Sequence, residues 1–416
     1  MKKYRPGSSG TLGLLCVGLL LQGAGDSHMA SFLSEHAPFV GMTVAQYGII
    51  MSANSVVAIT MLPVIARLTM LNLINDKTFL VLGYLLDATG MLCMISVYYF
   101  ALEGTGLFFA LLGLRILQSL GASIGFNLVY SVSGSQLPNL SHISVPFLEC
   151  TYGIGLTIGP AISGALYDTG GFVLPFLYHS SVLYILVIVA YLFLPSSSSS
   201  AAEETGVSLK QLIRPTILVC MLMVTTSNIV DTFNDSTFAM LLSKYALSTT
   251  AVGLSFFLPA GSYTVSSLTS GFLTQRTAAR RLILLICAIS TIAAMLFIPP
   301  LVPLRDHPLW VVYVAQLILG LSIGPFYVCC YLMICDDLCQ ITDSKIAHTA
   351  TAAVTNWSSF LGCFIGPVLG NFIIEVSSLK DASIIITSIT SCVTIIYSIF
   401  LLIKSLKRNV SIANLP

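Results

Sequence analysis

The sequence predicts an all-α membrane protein with twelve membrane-spanning helices arranged in two halves of six. Three observations support this prediction. Hydrophobic residues make up 56% of the 416 residues and charged residues only 8%, whereas about 25% of the residues of a soluble protein are charged. Many apolar runs reach the length of about 20 residues that a helix needs to cross a bilayer. Short motifs also recur between runs that lie six apart along the chain.

Polar breaks divide the chain into twelve apolar runs. The runs cover about residues 11–33, 45–66, 78–100, 107–130, 146–168, 173–194, 215–238, 250–273, 282–300, 309–334, 349–374 and 382–403. Between the sixth and the seventh run lies a serine-rich polar stretch with the composition of a flexible linker. The predicted domains are therefore an N-terminal half at 1–194, a cytoplasmic linker at 195–214 and a C-terminal half at 215–416.

The first run has a second interpretation. Basic residues at 2, 3 and 5, the run LGLLCVGLLL and the small residues at 23–27 resemble a secretory signal peptide. Apolar residues resume at Met29 and make the run long enough to span a bilayer. Loss of the run would also leave an odd number of spans, so we predict a first membrane helix here.

The basic residues predict the orientation of the chain. With the N-terminus inside, the predicted cytoplasmic segments hold fourteen lysines and arginines and the opposite segments hold three. Cytoplasmic loops of membrane proteins carry such an excess of positive charge. Both termini are therefore predicted to be cytoplasmic.

The eleven cysteines predict packing rather than chemistry. Their number is odd and most fall within the runs, so no disulfide framework is indicated. Four of them cluster at 329, 330, 335 and 339, but their spacing does not match a CxxC metal-binding pair. A buried thiol that packs as a small hydrophobic group is the favoured interpretation, and we expect neither a metal nor a cofactor.

Glycine and proline recur inside the fifth run, in the stretch GIGLTIGPAISGAL at 153–166. In water they disfavour a helix interior by about 1 and 3 kcal/mol relative to alanine, but a membrane helix tolerates them. Small residues spaced four apart form a stripe on which another helix packs closely. The packing positions that we predict are Gly153, Gly155, Gly159, Pro160, Ser163 and Gly164.

The second half repeats these motifs. GASIG at 121–125 recurs as GLSIG at 320–324, and IGPAISG at 158–164 recurs as IGPVLG at 365–370. Each pair joins runs that are six apart, which indicates two parallel repeats. Close contacts at Gly366, Pro367 and Gly370 would then match those of the fifth run. Such paired contacts favour helices that rock against one another; a purely static packing helix is the alternative.

These motifs resemble those of the major facilitator superfamily. GIGLTIGPAISGALYDTGG is similar to the fifth-helix antiporter motif of drug:proton antiporters, and LRILQSLGAS to their fourth-helix motif, whose arginine falls on Arg115. GLSFFLPAGSY at 253–263 resembles the eighth helix of the vesicular amine transporters. The glutamate in PFLECTYGIG, Glu149, is similar to one in the polyamine branch of that family, which makes it a candidate substrate-binding or proton-coupling residue. A surface anchor near the cytoplasmic end of its helix is the alternative. The resemblance implies a twelve-helix major facilitator fold.

Two departures from the family pattern stand out. The loop motif between the second and third helices is degraded, because PVIARLTMLNLIND lacks its leading glycine and central aspartate. The acids that monoamine transporters carry in the first, tenth and eleventh helices align with Gln22, Tyr327 and Asn356. The resemblance therefore favours the polyamine branch, or an orphan relative, over monoamine transport.

Ionisable residues inside a span are costly and usually face a cavity. At about 1.5 Å per residue, Asp26 and Arg115 fall at nearly the same depth, and Asp231 lies in the outer half of the seventh run. In the superfamily that the chain resembles, the first, fourth, seventh and tenth helices line the cavity, so these three residues are expected to share one chamber. Asp235 follows Asp231 by four residues and extends a polar stripe with Asn228.

Each of these residues has a structural alternative. Arg115 would only pair with one aspartate, Asp26 would only cap backbone groups at a helix break, and Asp235 would be solvated at the outer boundary. Asp87 falls in the middle of the third run without a predicted role. His28 either lines the cavity or faces the lipid headgroups.

The resulting prediction is a secondary transporter that moves a small organic cation, an amine or polyamine, by proton antiport with alternating access. Unpaired carboxylates attract cations, and burial favours their protonated form. We expect Arg115 to hold Asp26 ionised and Asp231 to titrate. The expected partners are a small-molecule substrate, protons and the lipid bilayer.

Other functions are excluded or kept as alternatives. No nucleotide loop, nucleophile triad or metal constellation is evident, so an enzyme is not expected. The sequence has no basic patch with interleaved aromatic residues, so it predicts no nucleic-acid partner. The alternatives are a broad-specificity proton-coupled drug exporter and a non-transporting receptor or scaffold that retains the fold.

Overall fold

The computed structural model describes residues 8–70, 74–100, 102–136, 141–194, 212–273, 277–298, 301, 308–342 and 344–413. Every regular element within these residues is a helix. Twelve of the helices are long, and they follow the order of the predicted runs. They are α1 (Ser8–Ser27), α2 (Val44–Met70), α3 (Asp76–Met94), α4 (Gly104–Gln136), α5 (Ser141–Gly170), α6 (Val173–Phe193), α7 (Pro215–Leu242), α8 (Phe257–Leu273), α9 (Thr277–Phe297), α10 (Leu309–Leu338), α11 (Ser344–Val376) and α12 (Leu379–Ala413).

Short helical segments connect some of the long helices. Helices at Leu33–Phe39, Ser96–Tyr99 and Thr249–Ser255 and 3₁₀ turns at His28–Ser31 and Ser243–Tyr245 complete the described elements. The prediction of twelve helices is confirmed, whereas some ends differ from the predicted runs. The first run extends to residue 33, but α1 ends at Ser27 and gives way to a 3₁₀ turn.

Nine of the described helices are long and apolar enough to cross a membrane. The three long helices outside this set are α1, α5 and α8. α1 contains Gln22 and Asp26, and α5 contains the glycine-rich stretch. α8 has only 17 residues because the helix is interrupted at Phe256, which separates α8 from the short helix Thr249–Ser255. Polar or glycine-rich segments thus lower the hydropathy of α1 and α5, whereas α8 falls outside the set because of its length.

The described residues fall into two compact units. One lies within Met1–Glu204 and Asp235–Ala260, and the other within Thr205–Asn234 and Gly261–Pro416. Residues 235–260, from the end of α7 to the start of α8, thus group with the N-terminal helices. The predicted linker lies almost wholly outside the described residues, so the domain boundaries at 195–214 stay a prediction.

Each unit has its own apolar core. In the first unit the core includes Leu19, Tyr84 and Phe176, which come from α1, α3 and α6. In the second unit Ile217, Leu284 and other side chains from α7, α9, α10 and α12 pack together. Because each unit buries its own core, each has the apolar packing expected of a separate bundle.

The cysteines belong mainly to this packing. All eleven lie in the described part of the chain and are free thiols. Cys329 and Cys330 pack in the core of the second unit together with Cys220 and Cys287. This packing agrees with the interpretation of the buried thiols as small hydrophobic groups.

Candidate functional site

The glycine stripe of α5 lies against α1. A Cβ atom at Gly159 would lie 2.6 Å from the carbonyl oxygen of Ala24, and one at Gly155 would meet the carbonyl oxygen of Leu20. Gly23 of α1 approaches the backbone of Tyr152 in the same way. The two helices therefore touch backbone to backbone, at a separation that a larger side chain does not allow.

The other side of α5 lies against the short helix Thr249–Ser255, which belongs to the same compact unit. A Cβ atom at Gly164 would meet the carbonyl oxygen of Thr249, and one at Gly253 would meet that of Pro160. Asp168 accepts hydrogen bonds from the backbone N–H and the hydroxyl of Thr250, at 2.6 and 2.5 Å. The carboxylate thus sits at the N-terminus of the short helix, where the helix dipole stabilises it.

The corresponding glycines of α11 lie against α7 in the second unit. A Cβ atom at Gly366 would lie 2.6 Å from the carbonyl oxygen of Ile229, and one at Gly370 would meet the ring of Phe233. The pairs α1–α5 and α7–α11 are thus close backbone contacts at the same positions of the two sequence repeats.

Asp26 lies in the last turn of α1 and reaches neighbouring helices with its side chain. Its Oδ1 accepts a hydrogen bond from the amide of Asn54 on α2 at 3.0 Å. Its Oδ2 accepts one from the hydroxyl of Tyr152 on α5 at 2.9 Å. Both donors are neutral, so they orient the carboxylate without neutralising its charge. The side chain is only partly buried and binds other side chains instead of capping the backbone.

Arg115 caps the end of α1. This fully buried side chain donates to the carbonyl oxygens of Gly25 at 3.4 Å and of Asp26 at 3.3 Å. The last carbonyls of a helix have no partner within the helix, and a cation beside them is favourable. Arg115 makes no direct ion pair with the carboxylate of Asp26 within the described residues, because the guanidinium binds the backbone and Gln118. The two charges interact at longer range.

Gln118 connects Arg115 to Asp87. Its Oε1 accepts from Arg115 at 2.7 Å, and its Nε2 donates to Asp87 Oδ1 on α3 at 2.7 Å. Close packing of α3 and α4 makes this possible, since a Cβ atom at Gly90 would lie 2.6 Å from the Cα atom of Gln118. Asp87, for which the sequence predicted no role, therefore belongs to the same buried polar cluster.

Two stacked histidines lie next to this cluster. The rings of His28 and His179 are 5.6 Å apart, and both side chains are buried. His28 Nδ1 lies 2.7 Å from the carbonyl oxygen of Gly25, so it carries the hydrogen, while Nε2 has no partner in the described part. Because an imidazolium would need two acceptors, the neutral form fits this site. The buried ring of His28 lies inside the bundle and does not face the headgroups.

The predicted polar stripe of α7 is divided between different surroundings. Asp231 is partly exposed, and its carboxylate accepts no hydrogen bond from any residue in the described ranges. Asn228 Oδ1 accepts from Ser359 on α11 at 3.0 Å. Asp235 groups with the first compact unit. The chamber predicted to hold Asp231 together with Asp26 and Arg115 remains a prediction.

Neutral side chains lie at the positions that align with the acids of the monoamine transporters, and each of them forms a hydrogen bond. Gln22 donates to the carbonyl oxygen of Ala122 at 3.1 Å, and the hydroxyl of Tyr327 donates to Asn356 Oδ1 at 2.7 Å. These side chains therefore connect neighbouring helices through neutral hydrogen bonds, at positions where the monoamine transporters carry a charge. The side chain of Glu149 lies outside the described part of the structure.

This architecture defines a helical membrane protein whose two helix bundles repeat each other's motifs. The first bundle contains a buried polar cluster. The model of the Major Facilitator Superfamily matches residues 15–367. The chain belongs to this superfamily, and its helices have the major facilitator fold. Because this is a family of transporters, membership also confirms the expectation that the protein is not an enzyme.

The relatives agree with the resemblance seen in the sequence. The chain is 25% identical over 268 residues to the MFS-type transporter SLC18B1 of Rattus norvegicus, covering 63% of this chain and 58% of the relative. It is 25% identical over 270 residues to the Homo sapiens protein of that name, again with 63% and 58% covered. The matched region thus spans 58% of the length of these relatives. The predicted resemblance to the polyamine branch of the vesicular amine transporter family is thus confirmed.

Solved transporters share the fold at low sequence identity. A bacterial homologue of the human lysosomal transporter Spinster, in an inward-facing and unoccupied conformation, has a TM-score of 0.77 at 12% identity and covers 95% of this chain and 97% of its own. The nucleoside transporter NupG has a TM-score of 0.69 at 13% identity, with 94% of this chain and 99% of its own covered. These similarities show the fold alone.

Proposed function

We propose that the protein is a secondary transporter that exchanges a small organic cation, an amine or polyamine, for protons. The main support is Asp26, a partly buried carboxylate that two neutral donors orient and no salt bridge within the described residues neutralises. An ammonium group bound beside it would supply a direct counter-ion. Similarity to the SLC18B1 transporters supports membrane transport as the general activity.

Alternating access would use the glycine contacts. Backbone contacts between α1 and α5, and between α7 and α11, present small smooth surfaces along which helices can shift. Asp26 lies between Ala24 and Ser27, the two residues of α1 nearest to Gly159. A movement of α1 on α5 would therefore alter the surroundings of the carboxylate directly.

Reconstitution tests this function. Purified protein in proteoliposomes with an acidic lumen should accumulate putrescine in a saturable manner, and collapse of the pH gradient should stop the accumulation. Accumulation of hydrophobic compounds in place of putrescine would instead identify a drug exporter. A folded protein that moves neither class across the membrane would support the non-transporting alternative.

We predict that Asp231→Asn abolishes uptake driven by the pH gradient. The asparagine keeps the shape of the side chain but cannot exchange a proton, and Asp231 accepts no hydrogen bond from the described residues that would be lost. The measurement is initial putrescine uptake into acid-loaded proteoliposomes. The exposed carboxyl variant Glu103→Gln is the control and should transport as the wild type does. Full uptake by Asp231→Asn would contradict the prediction.

We also propose that both termini and the linker at 195–214 are cytoplasmic. In a cysteine-free background, a membrane-impermeant maleimide should label Ser198→Cys only after the cells are permeabilised. Lys244→Cys, on an exposed turn that the charge pattern places outside, should be labelled in intact cells. Labelling of Ser198→Cys in sealed cells would reverse the proposed orientation.

A further inference from the structure

The buried cluster of the first unit contains one more acid than base. Asp26, Asp87 and Arg115 lie within electrostatic reach of one another. His28 and His179 beside them are placed to be neutral, since each Nε2 has no partner in the described residues. With both aspartates ionised, one negative charge would remain in surroundings of low polarity, where an uncompensated charge is costly.

Asp87 is the acid that lacks a full set of partners. The residue is 1% exposed; its Oδ1 accepts from Gln118, and its buried Oδ2 has no hydrogen-bond partner in the described part of the chain. An ionised carboxylate needs donors at both oxygens. By contrast, Asp26 has a donor at each oxygen and is less deeply buried than Asp87. The proton therefore fits Asp87, and an external cation fits Asp26.

We infer that Asp87 is the proton-exchange residue of the first unit and that it releases its proton when an organic cation binds beside Asp26. This inference rests on the proposed function and names a coupling residue of the first unit, in addition to Asp231 of the second unit, that the motifs of the sequence do not indicate. The proton released on cation binding is assigned to Asp87, and the proton of Asp231 to the later transport step. Arg115 is the group that both acids share, and Gln118 transmits its position to Asp87.

The charges balance in both states of this cycle. In the empty state Arg115 balances ionised Asp26 across the end of α1, and Asp87 is a neutral acid. When an ammonium ion binds beside Asp26, the ammonium balances the charge of Asp26. Arg115 then balances the charge of ionised Asp87 through Gln118. The O–H bond of Asp87 breaks, its electron pair stays on the carboxylate and the proton passes to water. A bound cation and a proton on Asp87 are thus mutually exclusive.

The groups around Asp87 are compatible with this exchange. Tyr84 lies one turn away on α3, Gln118 and Arg115 face it from α4, and Asp26 reaches it from α1. The adjacent α6 carries His179, whose Nε2 lies near Gly25 of α1. Among these groups only Arg115 is a fixed cation, so the charge of Asp87 depends on whether that cation is already balanced.

The test measures proton release on cation binding. Calorimetric titration of the full-length protein with putrescine, in two buffers of different ionisation enthalpy, counts the protons released. Putrescine remains protonated near pH 7, as lysine side chains do. The wild type should release about one proton per cation bound, and its apparent Kd should rise about tenfold for each unit by which the pH falls. Asp87→Asn should bind putrescine without proton release and with an apparent Kd that does not vary with pH.

The Asp87→Asn variant is suited to this test because its amide oxygen can still accept from Gln118. Glu103→Gln, which removes an exposed carboxyl group, is the matched control and should release the proton as the wild type does. Undiminished release by Asp87→Asn would overturn the inference. If Asp87→Asn does not fold, the same titration of Asp87→Ser decides, because serine can also accept from Gln118 but has no proton to release near pH 7. Loss of release in Asp87→Ser would support the inference, and undiminished release would overturn it. A wild type that binds no putrescine would overturn the proposed function and this inference with it.

Discussion

Replacement of Arg115 by methionine is expected to abolish transport and to lower the stability of the protein. Methionine fills a similar volume but leaves Asp26 and Asp87 without a nearby cation and the last carbonyls of α1 without their cap. Removal of one partner from a buried charged group costs about 3–5 kcal/mol. The measurements are thermal unfolding of the detergent-solubilised protein and putrescine uptake after reconstitution.

Neutralisation of Asp26 should partly rescue this variant. The double variant Arg115→Met, Asp26→Asn restores the wild-type excess of one acid over the bases of the cluster, so its unfolding temperature should lie between those of the wild type and Arg115→Met. Arg115→Lys serves as the control for geometry, since an ammonium cannot reproduce the planar set of donors that reaches Gln118 and two carbonyl oxygens. Equal unfolding temperatures for Arg115→Met and the double variant would show that the two residues do not interact.

Gly159→Leu is expected to insert and fold but to block transport. Its side chain would have to occupy the space held by the backbone of Ala24 and the hydroxyl of Ser27, which flank Asp26. Overpacking of this kind costs about 1–3 kcal/mol, which a folded bundle can tolerate, but the seam between α1 and α5 would be lost. The measurement is putrescine uptake, together with size-exclusion chromatography to confirm a folded protein.

Gly113→Leu is the matched control for this prediction. Gly113 lies within α4, and a Cβ atom there would meet nothing within 4 Å. The same change at this position should therefore leave uptake near the wild-type level. Normal uptake by Gly159→Leu would mean that the close contact is static packing without a role in alternating access.

The helices were predictable because a bilayer imposes a minimum length of apolar sequence. The end of α1 was not, because it depends on tertiary contacts. Arg115 reaches its carbonyls from α4, and no local pattern at residues 27–33 encodes that contact. The close contacts at Gly155 and Gly366 followed directly from the spacing of small residues, because that spacing places them on one side of a helix.

The composition of the polar cluster was predicted only in part. Asp26 and Arg115 stood out as charged residues inside spans, whereas Asp87 was left without a role because its partner lies 31 residues away on another helix. A signal was nevertheless present. Gly83, Asp87 and Gly90 share one face of α3, and a face with two glycines is one that packs closely. The neutral donors Asn54 and Tyr152 carried no charge that could draw attention to them.

The position of Arg115 at the end of α1 bears on how distant relatives of this protein should be sorted. A descendant that lost transport would no longer need an acid that exchanges protons, but its first helix would still end at the same carbonyls and still require a guanidinium there. An arginine at this position therefore indicates that the first helix ends in the same way, and it does not indicate transport activity. The pair of aspartates at 26 and 87 is the better criterion, since a chain that keeps the arginine and loses both acids would be expected to have become a structural protein.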